Sequence, residues 1–117
     1  MKHTVIITAG GIGRRMGKET PKQFLYLCEK PILIHTMELF YNFNPLFEII
    51  ITLPKDWISY WNELIKKHRV NINHIIVTGG EQRYHSIKNA LGKATGDTIA
   101  IHDGVRPLVS KETLTRI

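Results

Sequence analysis

The residues best suited to chemistry form a glycine-rich, basic segment near the start of the chain. The segment Ala9–Met16 (AGGIGRRM) directly follows a short apolar run, and Lys22 lies six residues further on. Glycines let a ligand approach the main chain closely, and the N–H groups of such a turn can hold phosphate oxygens. Arginine adds a planar fork of donors and lysine adds a point charge, and both suit a triphosphate. This segment therefore predicts a phosphate-binding loop.

Two familiar phosphate-binding motifs do not fit this loop. A dinucleotide fingerprint built on Gly11 and Gly13 would need glycine or alanine at position 16, where the chain has Met16. A Walker A loop would need glycine at position 12 and serine or threonine at position 19, where the chain has Ile12 and Glu19. The arginines could also be solvated cations beside a tight turn. The position of the whole basic cluster after a first strand favours the phosphate site.

A second glycine turn, Gly79–Ser86 (GGEQRYHS), follows another apolar run and precedes a helical pattern. The N-terminus of a helix offers N–H groups without intrahelical partners, which a nucleotide could use. Taken alone, the segment is more often an ordinary strand-to-helix turn, with Ser86 on a helix face.

A third segment, His102–Pro107 (HDGVRP), places a carboxylate at the end of an apolar strand. We expect Asp103 to be costly to bury alone, and a divalent cation would offset that cost. Mg²⁺ commonly takes one or two carboxylates together with substrate phosphates and water. The alternative is that Asp103 caps the following turn. His102 is predicted to be structural, because Mg²⁺ prefers oxygen ligands.

The elements that would position these loops alternate between strands and helices. The predicted strands are Thr4–Thr8, Glu48–Leu53, His74–Thr78 and Thr98–Ile101. The first predicted helix begins with Pro31 in its first helical position. The second runs from Trp57 to about Arg69 and the third from Arg83 to about Lys93, and Ser110 caps a last one. This alternation predicts an α/β fold with a parallel sheet and helices on both faces. Ligands of such sheets bind beyond the carboxyl ends of the strands, where all three segments lie.

Composition and charge narrow the function further. The 117 residues carry a net charge of +6, with a hydrophobic fraction of 43% and a single cysteine, Cys28. A lone cysteine excludes an internal disulfide or a cysteine zinc cluster. A basic chain favours polyanionic partners, and clustering of its cations around one loop suits a compact phosphate site. A basic nucleic-acid-binding α/β domain remains the non-enzymatic alternative. Without a long apolar run or a signal-peptide pattern, we expect a cytoplasmic protein with no membrane partner. Because the cations cluster at one loop, our main interpretation also includes no nucleic-acid partner.

The three segments, with Pro21–Phe24 (PKQF), resemble in this order the signature segments of the cytidylyltransferases that act on methylerythritol phosphate and ribitol phosphate. The resemblance covers almost the whole chain. It implies the nucleotide-diphospho-sugar transferase fold, which is a three-layer, Rossmann-like α/β fold with a mainly parallel sheet. Two departures, Gly10 for the family's second alanine and Gly104-Val105 for its Ala-Ala, leave the charged positions in place.

The resemblance also implies a role for each matching residue. Arg15 and Lys22 would be catalytic and stabilise charge on the reacting phosphate, Asp103 would hold Mg²⁺, and Arg106 would contact the acceptor substrate. The residues expected to contact the nucleotide are Ala9, Gly10, Gly11, Gly13, Arg14, Arg15, Met16, Lys22, Gly80, Glu81, Arg83, Ser86 and Gly104.

The implied activity is transfer of a cytidylyl group from CTP to 2-C-methyl-D-erythritol 4-phosphate, a step of non-mevalonate isoprenoid biosynthesis. Ser86 matches the methylerythritol form of its segment, since ribitol-type members often have threonine there. Ribitol 5-phosphate remains the alternative acceptor, because this preference rests on one residue. Family members are nearly twice this length. Residues 1–117 would therefore be the N-terminal, nucleotide-binding part of a single domain, truncated before a C-terminal half that carries further catalytic residues and the arm of a homodimer. Such a piece alone is expected to lack part of the catalytic machinery.

Overall fold

The structure is a computed structural model that describes residues 2–9, 26–27, 29–79 and 83–103. Its strands are β1 (His3–Thr8), β2 (Tyr26–Leu27), β3 (Lys30–Pro31), β4 (Glu48–Leu53), β5 (Ile75–Thr78) and β6 (Thr98–Asp103). Its helices are α1 (Ile32–Phe43), α2 (Ile58–Lys67), which follows a 3₁₀ turn at Lys55–Trp57, and α3 (Arg83–Leu91).

Four of the strands form one parallel sheet in the order β5-β4-β1-β6, and β2 and β3 form a separate antiparallel pair. The two central strands, β1 and β4, are almost continuous runs of apolar and β-branched residues, and all but the first residue of each is buried. Such runs are typical of parallel strands covered on both faces. The fold class predicted from the sequence is confirmed.

Both faces of the sheet carry helices because successive strand residues point to opposite sides. Val5 and Ile7 of β1 join a buried cluster with α1 and α2, in which Phe40 and Trp61 are the largest side chains. Ile6 points the other way and packs with Ile50 and with Ala90 of α3. The sheet therefore lies between a helix pair on one face and α3 on the other.

Several element boundaries differ from the sequence-based expectation. Pro31 is the last residue of β3 and the N-cap of α1, so its predicted place as the first helical residue is wrong by one position. The β2–β3 pair was not predicted, since two-residue strands leave no periodic pattern. Trp61 is buried and Trp57 packs against the same cluster, so both tryptophans contribute to the core. The helix expected after Ser110 lies outside the described residues.

Strand β6 is an edge strand within the described part of the sheet, where it pairs with β1 alone. Ile99 and Ile101 are each 43% exposed on the α3 side of this strand. The apolar strand that leads to Asp103 is therefore not buried at these two residues, and the side chain of Asp103 itself lies outside the described part of the chain. The apolar run did not reveal this exposure, because a strand in the middle of a sheet and a strand at its edge can have the same composition.

A polar cluster around Glu48 holds the amino end of β6 against β1 and β4. The Glu48 carboxylate accepts hydrogen bonds from the Thr95 N–H (2.8 Å), the Thr95 hydroxyl (2.8 Å) and the Thr4 hydroxyl (2.7 Å), and Lys2 Nζ lies 3.4 Å away. Burial alone would raise the pKa of Glu48, but the hydrogen bonds from Thr95, Thr4 and Lys2 outweigh it and lower the pKa to about 2. The Gly96 N–H donates to Thr4 Oγ1 at 2.9 Å, which joins the start of β6 to the cluster.

No helix within the described ranges is long and apolar enough to cross a membrane.

Candidate active site

The strand order creates a switch point between β1 and β6. From β1 the chain moves outward through β4 to β5, and it then returns to the opposite side of β1 to form β6. Parallel α/β sheets bind ligands in the crevice at the carboxyl ends of the strands that flank such a reversal. The two loops that leave this crevice begin after Thr8 and after Asp103, which are paired residues of β1 and β6. The topology thus brings the start of the predicted phosphate loop and the backbone of the predicted metal ligand to the same edge of the sheet.

The start of the glycine-rich loop is fixed by hydrogen bonds to both neighbouring strands. The Ala9 N–H donates to the backbone oxygen of Thr52 (3.0 Å) and lies 3.2 Å from its hydroxyl oxygen. On the other side, the Thr8 hydroxyl donates to the His102 carbonyl oxygen at 3.3 Å. The predicted nucleotide contact of Ala9 would therefore not use its N–H group, which is already bonded. Phosphate-binding N–H groups would have to come from residues further along the loop.

Thr52 was not singled out from the sequence, although it holds the first residue of this loop. It is fully buried in β4 and pairs with Thr8 in the parallel register. Threonine is common in strands, so its presence in an apolar run gave no signal of this contact.

Asp103 is the last residue of β6, at the carboxyl edge of the sheet. The residue before it, His102, is partly buried, and its ring meets that of Phe40 edge-on with centroids 5.1 Å apart. This contact with α1 agrees with the structural role predicted for His102. The described residues contain no group of three or more His, Cys, Asp or Glu side chains that could hold a metal ion by itself. A Mg²⁺ ion held by one carboxylate and by substrate phosphates needs no such group, so the role of Asp103 as a metal ligand stays a prediction.

The second glycine turn leaves the sheet at β5. The Gly79 N–H donates to the Leu53 carbonyl oxygen of β4 at 2.7 Å, and α3 begins at Arg83. Ser86 and Ala90, one helical turn apart on the sheet-facing side of α3, are 1% and 0% exposed. The predicted contact between Ser86 and a nucleotide stays a prediction, and its burial shows that the residue also helps to seat α3. Because β5 and β6 are separated by three inter-strand spacings, their ends lie about 14 Å apart.

Most of the predicted site residues lie outside the described part of the chain. The structure places Ala9, Ser86 and the backbone of Arg83 and Asp103. The remaining predicted residues, which it does not describe, are Gly10, Gly11, Gly13, Arg14, Arg15, Met16, Lys22, Gly80, Glu81, Gly104 and Arg106.

A parallel sheet with this strand order defines an α/β protein of the class that binds ligands at the carboxyl ends of its strands, and comparisons with known proteins refine that class. Residues 3–117 match the family of 2-C-methyl-D-erythritol 4-phosphate cytidylyltransferases, IspD. The chain belongs to this family.

Individual relatives agree with the family match. The chain is 47% identical over 117 residues to a 2-C-methyl-D-erythritol 4-phosphate cytidylyltransferase of Bacteroides fragilis, covering 99% of this chain and 53% of that protein. It is 38% identical to a ribitol-5-phosphate cytidylyltransferase of Streptococcus agalactiae, covering 97% of this chain and 50% of that protein. The bifunctional IspDF of Campylobacter jejuni superposes with a TM-score of 0.80 at 27% identity, covering 99% of this chain and 29% of that one. The chain spans about half the length of the curated relatives it matches.

Proposed function

We propose that the protein transfers a cytidylyl group from CTP to 2-C-methyl-D-erythritol 4-phosphate and releases pyrophosphate. The observation that carries the proposal is the pairing of Thr8 with Asp103, which brings the starts of the glycine-rich loop and of the loop after Asp103 to one switch point. Family membership supports the reaction. The higher identity to the methylerythritol enzyme than to the ribitol enzyme supports the acceptor.

In the proposed reaction, an oxygen of the acceptor's phosphate attacks the α-phosphorus of CTP. A new phosphorus–oxygen bond forms, the bond to the oxygen that bridges the α- and β-phosphorus breaks, and pyrophosphate leaves with the bonding electrons. The attacking oxygen is already an anion, so no covalent enzyme intermediate is needed. The protein has to align two anions that repel each other and to stabilise the charge that develops on the α-phosphate.

Each proposed group has one part in this task. Backbone N–H groups of the glycine-rich loop bind the triphosphate, and the side chains of Arg15 and Lys22 stabilise charge on the reacting phosphate. Arg106 orients the acceptor through its phosphate. A Mg²⁺ ion held by Asp103 would neutralise part of the phosphate charge.

The proposal extends to the setting of the enzyme. Residues 1–117 form the N-terminal, nucleotide-binding part of one cytidylyltransferase domain, and the whole protein acts as a cytoplasmic homodimer in non-mevalonate isoprenoid biosynthesis. Neither a membrane nor a nucleic acid is a partner. Family membership and the sequence resemblance support these points.

Thermal unfolding of the protein expressed from its whole gene, with each nucleoside triphosphate and Mg²⁺ in turn, tests the nucleotide assignment. CTP should raise the melting temperature more than ATP, GTP or UTP, since ligands stabilise according to their affinity for the native state. Equal shifts for all four nucleotides would remove the basis for a cytidylyltransferase. Salt-sensitive binding to any oligonucleotide, with no response to CTP, would favour the nucleic-acid-binding alternative.

A further inference from the structure

Strand β5, which leads into the second glycine turn, is held less firmly by burial than the central strands. It lies at the edge of the described sheet and pairs there with β4 alone. Ile75 is 38% exposed and Thr78 is exposed, whereas every residue of β4 after the first is buried. Polar contacts at its ends therefore matter more for the position of β5 than they would for β1 or β4.

One peptide group at the carboxyl end of β5 is held from two sides. Its carbonyl oxygen, on Thr78, accepts a hydrogen bond from the Asn89 side-chain amide of α3 at 2.9 Å. Its N–H group, on Gly79, donates to the Leu53 carbonyl oxygen of β4 at 2.7 Å. Because a peptide group is planar and rigid, these two bonds together fix both its place and its orientation.

The loop that leaves this peptide group is short and begins with two glycines. Glycine has more freedom in φ and ψ than other residues, so the fixed plane before Gly79 is the last constraint that the described strand puts on the chain. The loop rejoins the described structure at Arg83, in the helix that carries Asn89. Asn89 therefore links the two ends of the loop to each other.

We propose that Asn89 is a positioning residue for the nucleotide-reading loop Gly79–Ser86, and that it acts through the Thr78 carbonyl group without touching the nucleotide. This inference rests on the proposed function. Asn89 lies on the exposed part of α3, where alanine or lysine would favour the helix more strongly. Its amide supplies the donor that neither of those residues could offer from the same place.

The test uses the protein expressed from its whole gene and compares Asn89→Ala, Asn89→Asp and a control, Lys88→Ala, on the neighbouring exposed residue of α3. Asp has the shape of Asn but no N–H donor, and its charge repels the carbonyl oxygen. For each variant, kcat and KM are measured with CTP and with UTP, and the melting temperature is recorded. Loss of one hydrogen bond predicts that both Asn89 variants raise KM for CTP roughly threefold to tenfold. In the Asn89 variants, the preference for CTP over UTP should fall and kcat should stay close to that of the wild type. The Lys88→Ala enzyme should match the wild type in all of these quantities.

A purely structural role for Asn89 would give a different result. The variants would then melt at a lower temperature, but KM and the CTP preference at a temperature well below melting would equal those of the wild type, which would overturn the proposal. A lower kcat of the Asn89 variants with no change in KM would also overturn the proposal. If the wild type itself shows no preference for CTP, the proposed function fails. The effect of Asn89→Ala on KM for any bound nucleotide would still decide whether this residue positions the loop.

Discussion

Thr8 and Asp103 are paired residues on adjacent parallel strands, although they are 95 positions apart in the chain. Thr8 ends the strand before the glycine-rich loop, and Asp103 ends the strand before the loop that begins at Gly104. The Thr8 hydroxyl also reaches the carbonyl oxygen of the residue before Asp103, at 3.3 Å. The register of β6 against β1 thus sets how the two loops face each other across the switch point.

If Asp103 holds Mg²⁺, Asp103→Asn should abolish Mg²⁺-dependent pyrophosphate release and leave the fold intact. Asparagine keeps the size and one acceptor oxygen, but it loses the charge that balances the dication. The control is Asp56→Asn, at an exposed carboxylate in the 3₁₀ turn, which should release pyrophosphate normally. Asparagine caps turns about as well as aspartate. Near-normal pyrophosphate release by a folded Asp103→Asn variant would therefore show that Asp103 caps the turn and does not bind a metal ion.

Lys22→Ala should lower kcat by about 100-fold or more while it weakens CTP binding far less. The reason is that the ammonium group of Lys22 is proposed to stabilise negative charge on the α-phosphate that is present mainly in the transition state. Steady-state kinetics of the variant, beside a Lys66→Ala control at the exposed end of α2, makes the comparison. A rise in KM with kcat unchanged would mean that Lys22 binds substrate and transition state equally.

Glu48→Gln should destabilise the protein at neutral pH and much less in acid. The folded state lowers the pKa of Glu48 to about 2, from its usual value of 4.5. The charge therefore contributes stability fully above about pH 4.5, and this contribution is lost as the pH falls towards 2. Hydrogen bonds to a charged group suggest a loss of about 2 kcal/mol at pH 7.

Urea unfolding at pH 7 and near pH 2 measures this difference. Glu38→Gln is the matched control, because Glu38 forms an ion pair with Lys30 on the surface (2.9 Å) and should contribute about 0.5 kcal/mol. A destabilisation by Glu48→Gln that is equally large near pH 2 would show that the charge of Glu48 is not the cause.

Gly96→Ala should destabilise the protein by about 1–3 kcal/mol, which is the usual cost of forcing an extra methyl group into a packed site. A Cβ atom at Gly96 would lie 2.8 Å from the backbone nitrogen of Thr4 and would also clash with its hydroxyl oxygen. Gly92 is the control, since a Cβ there would lie 3.4 Å from its nearest neighbour, the Asn89 carbonyl oxygen. Chemical denaturation that finds Gly96→Ala as stable as Gly92→Ala would contradict the close approach of β6 to β1.

The central part of the fold could be predicted from the sequence because its signals are local. The run Glu48–Leu53 is found as a strand with the predicted bounds, since a β-branched apolar run stopped by proline leaves little choice. Strand β1 begins only one residue earlier than predicted. Helix α3 begins at the predicted residue and ends two residues early, which is the usual uncertainty of a helix end.

The site was predicted less completely, because its supporting contacts depend on chain segments that are far apart. Thr52 and Asn89 hold the starts of two loops through backbone groups, and neither belongs to a motif. The exposure of Ile99 and Ile101 depends on what lies beside β6, which the composition of the strand does not encode. Residue types predict a phosphate loop, whereas the residues that orient it become visible only in the folded chain.

The most direct measurement is pyrophosphate release by the protein expressed from its whole gene, with CTP, Mg²⁺ and either 2-C-methyl-D-erythritol 4-phosphate or ribitol 5-phosphate. We expect release with the methylerythritol acceptor, much slower release with ribitol 5-phosphate, and a CDP-alcohol formed in equal amount. Faster release with ribitol 5-phosphate would support the cytidylyltransferase activity but would show that ribitol 5-phosphate is the preferred acceptor. No release with either acceptor, from folded protein that carries all the motifs, would contradict the account.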